Sequence, residues 1–190
     1  MLRCVLCGRV SAGKSSLLYA LRHGTAAAHG SDATIGVAYM RWRNMDIWDT
    51  AGQEQYRALM ALYFRRLHAA LVIFDLTCRV SFDETNYWTS EVRKHSPNAR
   101  ILLVGCKADL DAARRVSHGE CMEKADELRA QYWETSARSG AGVEAPFRFL
   151  LQDESLERRV LPPGRTLELD GEDAAGRWGW WGGGGCCGAA

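Results

Sequence analysis

Residues 8–16 read GRVSAGKSS, a loop opened by Gly8 and closed by Gly13-Lys14-Ser15. The spacing G-x-x-x-x-G-K-S takes its meaning from its flanks. Here the largely apolar run LRCVLC (2–7) precedes it and a helical stretch from Lys14 to Arg22 follows. A glycine-bounded loop between a strand and a helix aims successive backbone N–H groups, and the N-terminal end of the helix, into one concavity suited to phosphate oxygens. Gly8, Val10, Ser11, Ala12, Gly13, Lys14, Ser15 and Ser16 are the candidate phosphate-binding residues. Lys14 adds a point charge, and the Ser15 hydroxyl a ligand for magnesium.

Beyond the loop, AALVIFDL (69–76) and RILLVGC (100–106) are continuous apolar runs rather than alternating ones. Strands buried on both faces of a parallel sheet have this character. Helical patterns cover residues 81–95, 118–131 and 143–152, with Ser81 and Ser117 placed as N-caps. The first two of these join successive strands, which is the βαβ arrangement. VAYMRWRNMDIW (37–48) alternates instead and carries Arg43-Asn44 at its centre, the pattern of a short antiparallel hairpin. The expectation is an α/β fold in three layers over residues 1–152, with a mostly parallel central sheet and one antiparallel edge strand. Residues 153–190 form a tail in which Pro162-Pro163-Gly164 breaks structure and Gly, charge and Trp follow.

Composition removes several classes of function. A net charge of +1 and the lack of any basic run argue against nucleic acid. Seven cysteines in 190 residues are an odd number outside a small secreted scaffold, so reduced thiols in a cytosolic compartment are expected. The opening MLRCVLCG reaches glycine at position 8, too early for a signal peptide, and no run of about eighteen apolar residues suggests a membrane span. Cys4-x-x-Cys7 has no second ligand pair, and the five histidines lack ligand spacing. Arg65-Arg66 and Arg114-Arg115 read as solvated faces.

Three further segments sit at carboxyl ends of strands. In DIWDTAGQE (46–54), Asp49 can hold magnesium through water, Gly52 can bring a backbone N–H to a terminal phosphate, and Gln53 can orient an attacking water. CKAD (106–109) ends another strand and ETSAR (134–138) the last. The carboxylate of Asp109 can accept from the N1–H and exocyclic amine of guanine, a pair that adenine does not offer. In this order, at one edge of one sheet, the set points to a guanine nucleotide.

With these residues in place, 2–152 resembles a small GTPase, and within that superfamily the Rab branch. TIGVAY (34–39), IWDTAGQEQYRAL (47–59), YFRRLHAALVIFDLT (63–77) and the double cysteine carry the likeness, with the endosomal Rabs nearest in character. The resemblance implies a P-loop GTPase fold, GTP and GDP with Mg2+ as ligands, and Lys14 and Gln53 as the catalytic pair. It implies Ser15, Thr34 and Asp49 around magnesium, and Thr34 with Gly52 sensing the γ-phosphate. At the base it implies Cys106, Lys107, Asp109, Ser136, Ala137 and Arg138, with Lys107 covering the ring and Ala137 offering its N–H. Tyr39, Trp48 and Tyr63 take the places of the aromatics that Rabs present to effectors, the first two on a hairpin shorter than the family's; ordinary packing is the alternative for each. The implied partners are effectors, an exchange factor, an activating protein and the prenylation machinery. The implied setting is a monomer on the cytoplasmic face of endomembranes, with a cytosolic pool.

Three departures from the family's pattern carry expectations of their own. Cys106 stands where most of the family has asparagine, and residues 20–38 lack the aromatic that usually stacks on the guanine edge, so fast spontaneous nucleotide exchange is expected. Val10 and Ser11 stand where well-known relatives have two glycines, and β-branched bulk beside the γ-phosphate is expected to slow hydrolysis. CCGAA at the end implies geranylgeranylation of Cys186 and Cys187, with single prenylation of a C-a-a-X-like CGAA as the alternative. The leading function is thus a membrane-associated switch with slow hydrolysis. A nucleotide-poor interaction scaffold is the competitor, and a P-loop kinase or ATPase is disfavoured by the guanine-type elements.

Overall fold

The structure, a computed structural model, describes residues 1–25, 37–50 and 62–158. Among the described residues six strands form one sheet: β1 (Leu2–Cys7), β2 (Val37–Trp42), β3 (Met45–Thr50), β4 (Ala69–Asp75), β5 (Arg100–Cys106) and β6 (Gln131–Glu134). Their order is β2-β3-β1-β4-β5-β6, and only the β2–β3 pair at the edge is antiparallel. The helices are α1 (Lys14–His23), α2 (Arg79–Asp83), α3 (Thr85–His95), α4 (His118–Glu127), α5 (Ala145–Gln152) and α6 (Glu154–Arg158).

The continuous apolar runs are explained by two cores, one on each face of the sheet. Leu6, Leu71, Ile73 and Val104 face Leu17 and Leu21 of α1 and Phe147 and Leu150 of α5. Val5, Val72, Phe74 and Leu103 face Phe82 of α2, Trp88 and Val92 of α3, and Cys121 of α4. Side chains alternate along a strand, so Cys4 and Cys7, three positions apart, fall in different cores and cannot share one ion. The Arg43-Asn44 turn sits with Arg43 at φ +52°, and its Asn44 carbonyl accepts the Leu2 N–H at 2.9 Å, pinning the edge hairpin to β1.

Several boundaries differ from the sequence expectation. Ser81 is not the cap of one long helix. It is buried inside α2, which is capped at Cys78, and its hydroxyl accepts the Asp75 N–H and donates to the Cys78 carbonyl. The helix expected over 118–131 stops at Glu127, because Arg129 turns into the left-handed region at φ +44° and Gln131 begins pairing with Leu102. Ser117 does cap α4, reciprocally with Glu120. Packing continues past residue 152, since α6 adds the fully buried Leu156 to the core.

Candidate functional site

Parallel strands place their carboxyl ends on one edge, and the quoted segments gather there. The phosphate loop leaves β1 at Gly8, where φ is +145° and a Cβ would lie 2.0 Å from the Ile73 carbonyl oxygen, so β4 leaves room for glycine alone. Ser11 at φ +61° and Gly13 at φ +107° complete the turn, and among the described residues no side chain caps the start of α1. Lys14, 5% exposed, folds back over the loop and donates to the carbonyls of Gly8 at 3.0 Å and Arg9 at 2.8 Å. Burial lowers the pKa of its ammonium and the nearby charge of Asp49 opposes that shift. The Arg9 guanidinium pairs with Glu84, just ahead of α3. Val10 is 38% exposed, on the open side of the loop.

The base loop follows β5. Gly13 approaches Cys106 closely enough that a Cβ on it would meet the Cys106 Cβ at 3.1 Å, so the two loops touch. The Cys106 thiol is buried, which pushes its pKa up to about 11, and its hydrogen bond is to Thr135 at 3.4 Å. Lys107, at φ +64°, donates to Asp75 Oδ2 at 2.7 Å. Asp109 Oδ1 accepts the Ser136 hydroxyl at 2.6 Å, and the Ala108 N–H reaches the Thr135 carbonyl. Ser136 is buried, Ala137 half-buried and Arg138 exposed. The 106–109 and 134–138 segments therefore form one wall, with the carboxylate of Asp109 oriented by Ser136.

On the β3 side, the Ser15 hydroxyl donates to Asp49 Oδ2 at 2.5 Å, with Asp49 buried. Two hard oxygen donors at the mouth of a phosphate cradle fit magnesium, which takes one or two protein oxygens and completes its shell with phosphates and water. Among the described residues no cluster of three His, Cys, Asp or Glu side chains competes as a metal site. Tyr39 is exposed and donates to Asp46 at 2.6 Å; Trp48 is half-buried under Arg3, and Tyr63 is half-buried. Thr34, Gly52, Gln53, Cys186 and Cys187 lie outside the described residues.

Asp75, Thr135, Arg9 and Glu84 were not singled out in the sequence. Asp75 carried the same signal as Asp49 and Asp109, an acid closing an apolar strand. Arg114 is no solvated face: it makes a two-pronged pair with Glu134 at 2.5 and 3.1 Å.

Residues 3–155 match the model of the Ras family. The chain is 36% identical over 179 residues to the Ras-related protein RABA3 of Arabidopsis thaliana, covering 89% of this chain and 74% of that one. It is 37% identical over 163 residues to the GTP-binding protein ypt3 of Schizosaccharomyces pombe, covering 80% and 75%. It is 36% identical over 154 residues to the Ras-related protein Rab-5A of Dictyostelium discoideum, covering 76% of each.

Proposed function

The chain belongs to the Ras family as a Rab-type small GTPase, and from that premise we propose that it is a membrane-associated GTP-binding switch of vesicle traffic that hydrolyses GTP slowly and recruits effectors while GTP-bound. The observation that supports this best is the contact of Gly13 with Cys106, which makes the phosphate loop and the base loop two walls of one groove. Lys14 neutralises the β- and γ-phosphates. Asp109, held by Ser136, reads guanine, and Lys107 covers the ring. Ser15, Asp49 and Thr34 would hold magnesium, which when bound would offset charge on the phosphate oxygens.

In the hydrolytic step Gln53 orients a water whose oxygen attacks the γ-phosphorus. The bond to the β–γ bridging oxygen breaks, and GDP and phosphate leave. Val10 is stiff at χ1 and occupies room that the water, Gln53 and an incoming arginine need. Arginine fingers supply about 10³–10⁵ in rate over an unassisted pace of about 4 × 10⁻⁴ s⁻¹, so partial exclusion forfeits much of that stimulation. The buried Cys106 thiol is a weak donor where an amide would bond on two sides, so nucleotide leaves readily. Loss of nucleotide, rather than hydrolysis, then times the switch.

Tyr39, Trp48 and Tyr63 receive effectors. Cys186 and Cys187 carry two prenyl groups that hold the protein on the cytoplasmic face of endomembranes, endosomal ones included, with a cytosolic pool. Nucleotide content after purification, followed by single-turnover hydrolysis, tests the switch. Bound GDP or GTP and measurable turnover are expected. A stable protein that is empty and takes up no GDP overturns the proposal in favour of a scaffold. Persistence of a Cys186→Ser/Cys187→Ser variant on membranes in cells overturns the lipid anchor.

A further inference from the structure

We propose that residues 75–84 act as an ionic yoke between the two nucleotide loops, Asp75 holding Lys107 of the base loop and Glu84 holding Arg9 of the phosphate loop, and that this yoke restrains nucleotide release. The inference rests on the nucleotide-binding function proposed above. It begins from what Cys106 does not do. Among the described residues its thiol bonds to Thr135, on its own side of the groove, and meets Gly13 by packing alone. A link between the loops therefore has to come from elsewhere.

The segment after β4 supplies it. Both oxygens of the buried Asp75 are engaged: Oδ2 accepts Lys107 Nζ at 2.7 Å, while Oδ1 accepts the Thr77 N–H at 2.8 Å and hydroxyl at 2.7 Å. At the other end Glu84 accepts from Arg9. The Arg9 carbonyl in turn accepts from Lys14 Nζ, so Glu84 acts through Arg9 on the lysine that faces the phosphates. The span between is internally bonded. Cys78 donates to the Asp75 carbonyl at 3.0 Å, Ser81 Oγ accepts from Asp75 N–H and donates to Cys78, and Glu84 N–H reaches the Val80 carbonyl at 3.1 Å. A crosspiece bonded this way moves as a unit, so releasing either end loosens both loops.

Arg9, Glu84 and Asp75 are positioning residues that act through Lys14 and Lys107, and their test needs more than loss of function. Salt reads the ionic character, because the side chains of Arg9 and Glu84 are 37% and 26% exposed and their attraction is only partly shielded from solvent ions. The experiment measures release of fluorescent GDP, with magnesium present, from the full chain. Wild type is titrated first; failure to bind GDP at all would sink the nucleotide-binding function rather than the yoke. Arg9→Met and Glu84→Arg are each expected to speed release by about two- to fivefold. The reversed pair Arg9→Glu with Glu84→Arg is expected to return it to the wild-type rate. Raising salt from about 0.05 to 0.5 M speeds release from wild type and leaves Arg9→Met nearly unchanged. Arg9→Met combined with Asp75→Asn releases no faster than the faster single variant, since one broken end already frees the crosspiece. Single variants at the wild-type rate, a reversed pair that fails to restore it, or fully additive effects of the two ends overturn the proposal. If Asp75→Asn does not fold, as a thermal melt will show, the reversed pair and the salt response decide.

Discussion

On the phosphate side of the site the grip comes from backbone geometry: Gly8 at φ +145°, Ser11 at φ +61° and Gly13 at φ +107° turn the loop, and Lys14 is braced on two of its carbonyls. On the base side it comes from the side chains of Cys106, Lys107 and Asp109, each leaning on one partner, Thr135, Asp75 and Ser136. A backbone cradle tolerates substitution of the residues between its glycines, so Arg9, Val10 and Ser11 can diverge while phosphate binding persists. Side-chain recognition has no such tolerance, and under the proposed function cysteine at position 106 forgoes a tie that an asparagine amide would make. Under the proposed function, divergence at Val10 bears on the rate of chemistry, whereas divergence at Cys106 bears on retention.

Val10→Gly breaks the comparison most sharply if it is wrong. Restoring the small residue is expected to raise single-turnover hydrolysis by about 10²- to 10³-fold with an activating protein present, and by a smaller factor without one, where only the water and Gln53 gain room. Equal stimulated rates in both proteins would show that Val10 does not occupy the space in question. GDP affinity should stay the same, because the backbone donors are untouched.

Lys14→Ala comes next. It removes a 5% exposed ammonium, leaving the Gly8 carbonyl without its Lys14 donor and the Arg9 carbonyl with the Ala12 N–H at 3.3 Å. Charge-assisted bonds to two phosphates are lost with it, and GDP affinity should fall by about a hundredfold or more in a fluorescence titration. A drop under tenfold would mean that the loop's backbone carries the phosphates almost alone.

Cys106→Asn sharpens the other half. The amide reaches across the Gly13 contact that the thiol meets only by packing. Release of fluorescent GDP should slow by about five- to thirtyfold. An unchanged rate would place the control of retention wholly in other groups of the site.

How much of this was legible in the sequence follows the same division. The phosphate loop was readable because its pattern is local and its strand and helix flanks confirm it, and Asp49 and Asp109 were readable as acids closing strands. The groups that orient them were not. Arg9 and Glu84 lie 75 residues apart and Lys107 and Asp75 lie 32 apart, and no spacing rule joins such pairs before the sheet brings them together. Arg114 was misread for the same reason, since its partner Glu134 arrives from β6. Residues 128–130 read as helix because Leu-Arg-Ala has no stop residue. What ends the helix is the demand of β6 to pair with β5, which forces Arg129 to a positive φ.

The smallest expected effect lies at Glu134, which ends β6 and carries Thr135 and Ser136 into the base wall. Its carboxylate accepts two bonds from Arg114, one from the Tyr132 hydroxyl at 2.7 Å, and meets His118 at 3.1 Å. The Arg114 guanidinium, above all, holds its pKa down to about 2 from an ordinary value of 4.5, against the opposing effect of partial burial. A carboxyl depressed in the folded state stabilises the fold above its unfolded pKa and loses that contribution as pH falls through the folded one. The window here runs from about pH 4.5 down to about pH 2. Because the side chain is a quarter exposed, solvent screening keeps the contribution to about 1 kcal/mol or less, about 2–4 °C in melting temperature for a domain of this size. Glu134→Gln should therefore melt a few degrees below wild type at neutral pH, and the gap should narrow as the pH is lowered through that window. A gap that stays constant on acidification would show that Glu134 supports the base wall by shape and hydrogen bonding rather than by charge.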